Sequence, residues 1–391
     1  MTAILADPVS EVVAAAEKLL TRRTGAPVTL VDPVDLGGSG RTIVLRVRVA
    51  ENPFSLPRTL VIKQVREASR GPGSRAVDAD DPSADGESAF LREAVSYQFA
   101  TALATESRPG ASLLASDLEA RLLVLTDLGD STPISALLEH SDSDTVTNTL
   151  MAMAQALGRM HAATVGREED FTALLRRAEV THYGNTVTAQ VGRAVERVPG
   201  MLSSILGIEV SADITDEVLR GAKLFESRRF RAFSPSDLCP DNIIVNDEGV
   251  RFLDYEWGGF RDAMLDIAYA LVSFPGCLCS IELSEDRAQA MIEAWRAEVV
   301  GMWPALADDN VLASRMVEAQ LIWVWLSTYL FLPVNHSRIA AVREHQLSVP
   351  RSVALTQRWD KLARSADRAG NAVVAEHARA VADALRRTVV G

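Results

Sequence analysis

Two carboxylates and an amide stand at a spacing that suits phosphoryl chemistry. In Ser234-Pro235-Ser236-Asp237-Leu238-Cys239-Pro240-Asp241-Asn242-Ile243-Ile244-Val245, Asp237 and Asn242 are five residues apart on a loop that runs into a strand. Arg251-Phe252-Leu253-Asp254-Tyr255-Glu256-Trp257 follows, with Asp254 at the end of a returning strand. A turn over Asn246-Asp247-Glu248-Gly249 closes the hairpin, which brings Asn242 and Asp254 together at its open end. An amide oxygen and a carboxylate are hard ligands suited to Mg²⁺, which also takes phosphate oxygens. Asp237, facing the same point, is placed to accept the proton of an attacking hydroxyl. The plain alternative is a polar hairpin with solvated carboxylates, which does not require this spacing.

A second pair lies upstream. Lys63 sits inside the apolar run Thr59-Leu60-Val61-Ile62-Lys63-Gln64-Val65. On the helix expected over Ser88–Leu103, Phe90, Ala94 and Tyr97 form an apolar face, and Glu93 falls on it at helical spacing. An inward carboxylate is costly unless paired. Lys63 is the natural partner, and the pair would hold the ammonium where it reaches ATP phosphates. Leu36-Gly37-Gly38-Ser39-Gly40-Arg41 lies between two strands, so it is not the dinucleotide fingerprint that opens a helix, and the P-loop ending in Gly-Lys-Ser/Thr is absent. Such a turn can still cover phosphates with backbone N–H groups and Ser39, the expectation for Gly38, Ser39 and Gly40.

The elements that must carry these groups change character along the chain. A leading helix over residues 9–24 precedes strands over Thr29–Leu36, Thr42–Ala50 and Thr59–Val65. Residues 66–87 are polar and read as a mobile loop. The helix carrying Glu93 follows, then strands over Ser112–Ser116 and Arg121–Thr126 and a linker at Leu125-Thr126-Asp127-Leu128-Gly129. Beyond it the pattern is helical, over Pro133–Glu139, Thr145–Thr164, Ile214–Glu226, Arg287–Trp303 and Val311–Phe331, with two tail helices after Pro350. The expected architecture is α+β and bilobal. A β-rich lobe of residues 1–127 would bind nucleotide, and a helical lobe of residues 128–391 would carry the catalytic loop, metal site and acceptor site, with ligand held in the cleft.

Order and spacing together resemble the aminoglycoside phosphotransferase and choline kinase-like family, which has a protein kinase-like fold. The resemblance runs from about Val28 to Pro275 and includes Leu157-Gly158-Arg159-Met160-His161-Ala162-Ala163 and Arg261-Asp262-Ala263-Met264-Leu265-Asp266-Ile267-Ala268. It implies ATP and Mg²⁺ as cofactors, Asp237 as base, Asn242 and Asp254 as metal ligands, Lys63 on the phosphates with Glu93 as its anchor, and hinge backbone at Thr126, Asp127 and Leu128 against the adenine. It also implies a metal or substrate contact, or support for one, from Glu256, and a buttress for the catalytic loop from Asp266. His161 reads as a helix-packing histidine. The family usually has His-Gly before the catalytic aspartate. Here Pro235-Ser236 stands instead, and proline cannot donate the bonds a histidine makes there.

Composition narrows the substrate. The net charge of -12 argues against nucleic acid as a partner. The longest apolar stretch, Leu321 to Val334, is shorter than the ~20 residues of a bilayer span. No secretory signal opens the chain, and the three cysteines Cys239, Cys277 and Cys279 match no zinc or redox spacing, so a cytoplasmic location is expected. Only a dozen positions separate Asp254 from Asp266, and no Ala-Pro-Glu follows, which disfavours a peptide substrate. The expected partner is a small-molecule hydroxyl acceptor such as an aminoglycoside-like antibiotic, an amino sugar or a related metabolite. Asp262, Glu293, Glu298 and Glu318 are acidic candidates for receiving it, or solvated helix faces. A nucleotide-binding scaffold is the non-enzymatic alternative, motivated by Pro235-Ser236.

Overall fold

The computed structural model describes residues 8–38, 42–50, 56–66, 86–180, 186–235, 238–274, 283–332 and 349–389. Ser39, Gly40 and Asp237, and nearly all of the segment expected as a mobile loop, lie outside them. The chain divides into two compact units, residues 1–130 with 171–181, and residues 131–170 with 182–391.

The first unit is built on an antiparallel sheet of β1 (Leu30–Gly37), β2 (Thr42–Val49), β3 (Thr59–Val65), β4 (Leu113–Asp117) and β5 (Leu122–Thr126), in the order β1-β2-β3-β5-β4. Strand alternation sorts its side chains to two faces. Leu45, Val47, Leu60, Ile62, Leu122 and Val124 pack with Val12, Ala16, Leu19 and Leu20 of α1 (Pro8–Thr24), forming one core. The intervening positions, Lys63 and Leu123 among them, are paired across β3 and β5 and face the other way. The helix α2 (Gly86–Thr101) buries Phe90, Glu93, Ala94 and Tyr97. One face of the sheet thus needs a long helix at the N-terminus, and the other face is where a polar pair has a partner.

The second unit is the helical one. It holds α3 (Ile134–His140), α4 (Ser143–Thr164), the first three residues of α5 (Glu168–Arg177), whose remainder belongs to the first unit, α6 (Thr186–Met201), α7 (Ala212–Ala222), α8 (Met264–Ser273), α9 (Glu285–Val299), α10 (Asp309–Phe331), α11 (Arg351–Arg368) and α12 (Ala372–Val389). Asp142 caps α4 by accepting from Asp144 N–H and Thr145 N–H, and Ser284 caps α9 through Arg287 N–H. These caps set starts two residues earlier than apolar periodicity alone indicates. No helix among the described residues is long and apolar enough to cross a membrane; the apolar run from Leu321 lies in α10, buried through Thr328.

Two short sheets interrupt the helices. β8 (Ile243–Asn246) and β9 (Gly249–Phe252) form the expected hairpin, with Ile243 opposite Phe252 and Asn246 opposite Gly249. β6 (Thr132–Pro133) adds to its other edge. A separate ribbon pairs β7 (Arg231–Ser234) with β10 (Gly259–Asp262). The architecture is α+β, a small antiparallel β lobe and a large helical lobe carrying one hairpin, as a bilobal protein kinase-like fold requires.

Candidate functional site

In the first unit, β3 delivers Lys63 to the sheet face opposite the α1 core. Its ammonium donates to Glu93 Oε1 of α2 at 2.6 Å, and the two side chains are 13% and 2% exposed. Removing both charges from water is expensive, and each neutralising the other offsets that cost. β1 is followed by a glycine the backbone demands. Gly38 has φ +151°, and a Cβ there would lie 2.2 Å from the Thr42 carbonyl oxygen. Only glycine fits at this position.

The strand end at Thr126 is also fixed. Its N–H donates to Ser112 O and its hydroxyl accepts from Ser112 N–H, both at 2.9 Å. Asp127 turns back on its own chain: Oδ1 accepts from Gly129 N–H at 3.0 Å, and Oδ2 lies 3.0 Å from Arg46 Nε. Arg46 also donates to the Gly129 carbonyl at 2.8 Å. The Asp127 side chain is therefore engaged, and what this stretch offers a ligand is backbone at Asp127 and Leu128. Sequence reasoning missed Arg46, since an arginine in a half-exposed strand carries no local signal.

In the second unit, the hairpin brings Asn242 and Asp254 to its open end. Pro240–Asn242 is a turn of 3₁₀ helix closed by Asn242 N–H donating to Cys239 O at 2.9 Å, and Leu253 N–H donates to the Asn242 carbonyl at 2.8 Å. Asp254, immediately after, has φ +59°. A left-handed aspartate costs backbone energy and marks a position held by its surroundings, a recurrent property of functional sites. Here the hold is visible. Tyr255 is fully buried, its ring 6.1 Å from Phe233, and Gly258 N–H donates to Tyr255 O. Two oxygen-bearing side chains on a fixed hairpin end are the donor chemistry Mg²⁺ prefers, and phosphate oxygens would complete the shell. Among the described residues no group of three His, Cys, Asp or Glu side chains gathers as a metal cluster.

Glu256 is half-buried within the turn from Tyr255 to Gly258. Asp262 is set apart. In the β7–β10 ribbon Gly259 pairs with Ser234 while Asp262 pairs with Arg231, which puts Asp262 about 10 Å along the strand from the Ser234 end at ~3.4 Å per residue. It is fully buried, and its Oδ1 accepts from Met264 N–H at the start of α8. Burial raises its pKa to about 6, against the opposing pull of that N–H, of Arg315 and of the Ser227 hydroxyl. These contacts describe a group that shapes the α8 entry.

The loop containing Asp237 is anchored at both flanks. Pro235, Leu238 and Cys239 are buried. Ahead of Pro235, Phe233 N–H donates to the Thr164 hydroxyl at 3.0 Å, and the Ser234 hydroxyl donates to Asp266 Oδ1 at 2.6 Å. Asp266 Oδ2 bonds His161 Nε2 at 3.0 Å, and the Trp295 indole N–H donates to His161 Nδ1 at 3.0 Å. Ser234, Asp266, His161 and Trp295 are all buried. The residue before Pro235 is thus fixed by a side-chain bond to α8. Trp295 escaped sequence reasoning because it lies 134 residues from His161.

No protein-family model and no curated protein matches the chain. Solved structures similar to it include an ethanolamine kinase from Plasmodium vivax, at 12% identity, covering 85% of this chain and 82% of that one with a TM-score of 0.48. A choline/ethanolamine kinase family protein from Mesorhizobium loti is similar at 12% identity over 90% and 92% of the two chains, with a TM-score of 0.45. An aminoglycoside-3'-phosphotransferase of type VIII is similar at 17% identity over 80% and 98%, with a TM-score of 0.38.

Proposed function

We propose that the protein transfers the γ-phosphate of ATP to a hydroxyl of a small molecule, an aminoglycoside-like antibiotic, an amino sugar or a related metabolite. The observation that carries this reading is the buried Lys63–Glu93 ion pair. A lysine held on an ordered sheet by a carboxylate is a fixed positive charge for phosphate oxygens, and phosphoryl transfer depends mainly on positioning and electrostatic stabilisation. Asn242 and Asp254 would hold Mg²⁺, which would neutralise charge on the phosphates. Backbone at Thr126, Asp127 and Leu128 would take the adenine, and the turn through Gly38, Ser39 and Gly40 would cover the phosphates. Asp237 would accept the proton of the attacking hydroxyl, and Glu256 would support the metal ligands.

The test incubates the protein with MgATP and a panel of aminoglycosides, amino sugars and amino alcohols, and follows ³¹P resonances. A phosphomonoester appearing on one acceptor, lost with Asp254→Ala, is expected. Pro235-Ser236 favours a second reading, a nucleotide-binding scaffold. MgATP binding without phosphate transfer to any acceptor or to water would support it and end the enzymatic one.

A further inference from the structure

The buried chain of polar groups behind the Asp237 loop has a direction, and the direction is set by one residue. Indole N–H is a donor only. Trp295 therefore makes His161 Nδ1 an acceptor, at 3.0 Å. The imidazole proton then sits on Nε2, which faces Asp266 Oδ2 at 3.0 Å. Asp266 can accept this N–H and the Ser234 hydroxyl together, one on each oxygen. In the other tautomer an Nε2 lone pair would face the carboxylate, and Asp266 would have to turn or take up a proton. Either change loosens Ser234, three residues before Asp237.

The packing around Trp295 leaves it little freedom. Its helix α9 lies so close to α4 that a Cβ on Gly158 would meet Glu298 Cβ at 2.8 Å and the Trp295 carbonyl at 2.9 Å. The Trp295 and His161 rings meet edge-on, 6.2 Å between centroids. All four groups of the relay are buried, where a hydrogen bond is stronger and an unmade one costs more than at the surface.

We propose that Trp295 is a positioning residue for the Asp237 loop, acting by fixing His161 as its Nε2–H tautomer so that Asp266 holds Ser234. The proposal rests on the phosphotransferase reading only in its kinetic arm.

The test compares the full chain with Trp295→Phe, His161→Gln and the double variant. A glutamine at 161 can present its amide N–H to Asp266 whatever occupies position 295. In ¹⁵N-histidine spectra, the His161 resonance, assigned by its loss in His161→Gln, should show an unprotonated Nδ1 and a protonated Nε2, and Trp295→Phe should change that pattern. Amide exchange at Phe233 and Ser234 should quicken about tenfold in Trp295→Phe, but Trp295→Phe should add nothing in the His161→Gln background. The kcat for ATP should fall about tenfold, ~1.4 kcal/mol, with KM for ATP unchanged, and show the same background dependence. A role in packing alone would give the same loss in both backgrounds. That outcome, or a protonated Nδ1 in the parent chain, overturns the proposal. A parent chain that turns over no ATP ends the functional reading, while tautomer and exchange still decide this one.

Discussion

Replacing Lys63 by methionine separates what the lysine does for the fold from what it does for ATP. The substitution keeps the length of the side chain and removes its charge, so Glu93, 2% exposed, is left without the ammonium 2.6 Å from it. Breaking a buried ion pair from one side costs about 3–5 kcal/mol. That loss should appear as a lower urea midpoint with an unchanged slope. Adding Glu93→Leu removes the stranded carboxylate. Replacing a whole buried pair by apolar side chains is often neutral, so the double variant should return to within about 1 kcal/mol of the parent. Affinity for MgATP should not return with it. A charge-assisted hydrogen bond to phosphate contributes about 1.5–3 kcal/mol, so both variants should bind at least tenfold more weakly by calorimetry. A double variant as unstable as Lys63→Met would show that Glu93 is not the cause of the loss. Parent-like MgATP binding in both would remove Lys63 from the phosphates.

One buried and one half-buried group give opposite pH dependences. Asp262, raised from 3.8 to about 6, keeps its proton in the folded chain between about pH 4 and 6 while the unfolded chain loses it. Stability therefore falls as pH rises through that window, by ~3 kcal/mol at 1.36 kcal/mol per unit, and Asp262→Asn should abolish this slope in urea midpoints measured against pH. His377 is lowered from 6.5 to about 4 by burial, beside Trp325 and Trp359. It stays neutral in the fold while the unfolded chain takes up a proton, so stability falls as pH drops from about 6.5 to 4, by at most ~3.4 kcal/mol. His377→Leu should flatten that acid limb, and an unchanged limb would contradict the assignment. Arg46→Met frees Asp127 and Gly129, and should weaken MgATP binding by about threefold to tenfold with a smaller effect on the urea midpoint; equal binding would place the adenine contact elsewhere.

The legible parts of this molecule were the local ones. β2 and β3 follow from β-branched runs between turns, α1 and α2 from helical spacing, and the hairpin from the Gly249 turn, whose φ is +108°. Lys63 and Glu93 were found because each broke an apolar pattern, and two such breaks facing one another are cheaper paired than apart. What escaped was non-local. The strands β7 and β10 have four residues each, and their pairing spans the whole hairpin between them. α5 and α6 went unread although α6 carries apolar periodicity, because Pro199 and the polar run before it imitate a loop. Arg46 and Trp295 act through partners far along the chain, and nothing in their immediate sequence announces it.

In the proposed reaction Asp237 would take a proton from the hydroxyl attacking ATP. A single-turnover measurement with γ-labelled ATP, the parent chain against Asp237→Asn, tests it most directly, with water or the screened acceptor as nucleophile. Asp237→Asn should bind MgATP with the same affinity and transfer phosphate about 10²–10⁴-fold more slowly, the usual contribution of a general base. Equal transfer rates in the two chains would contradict it.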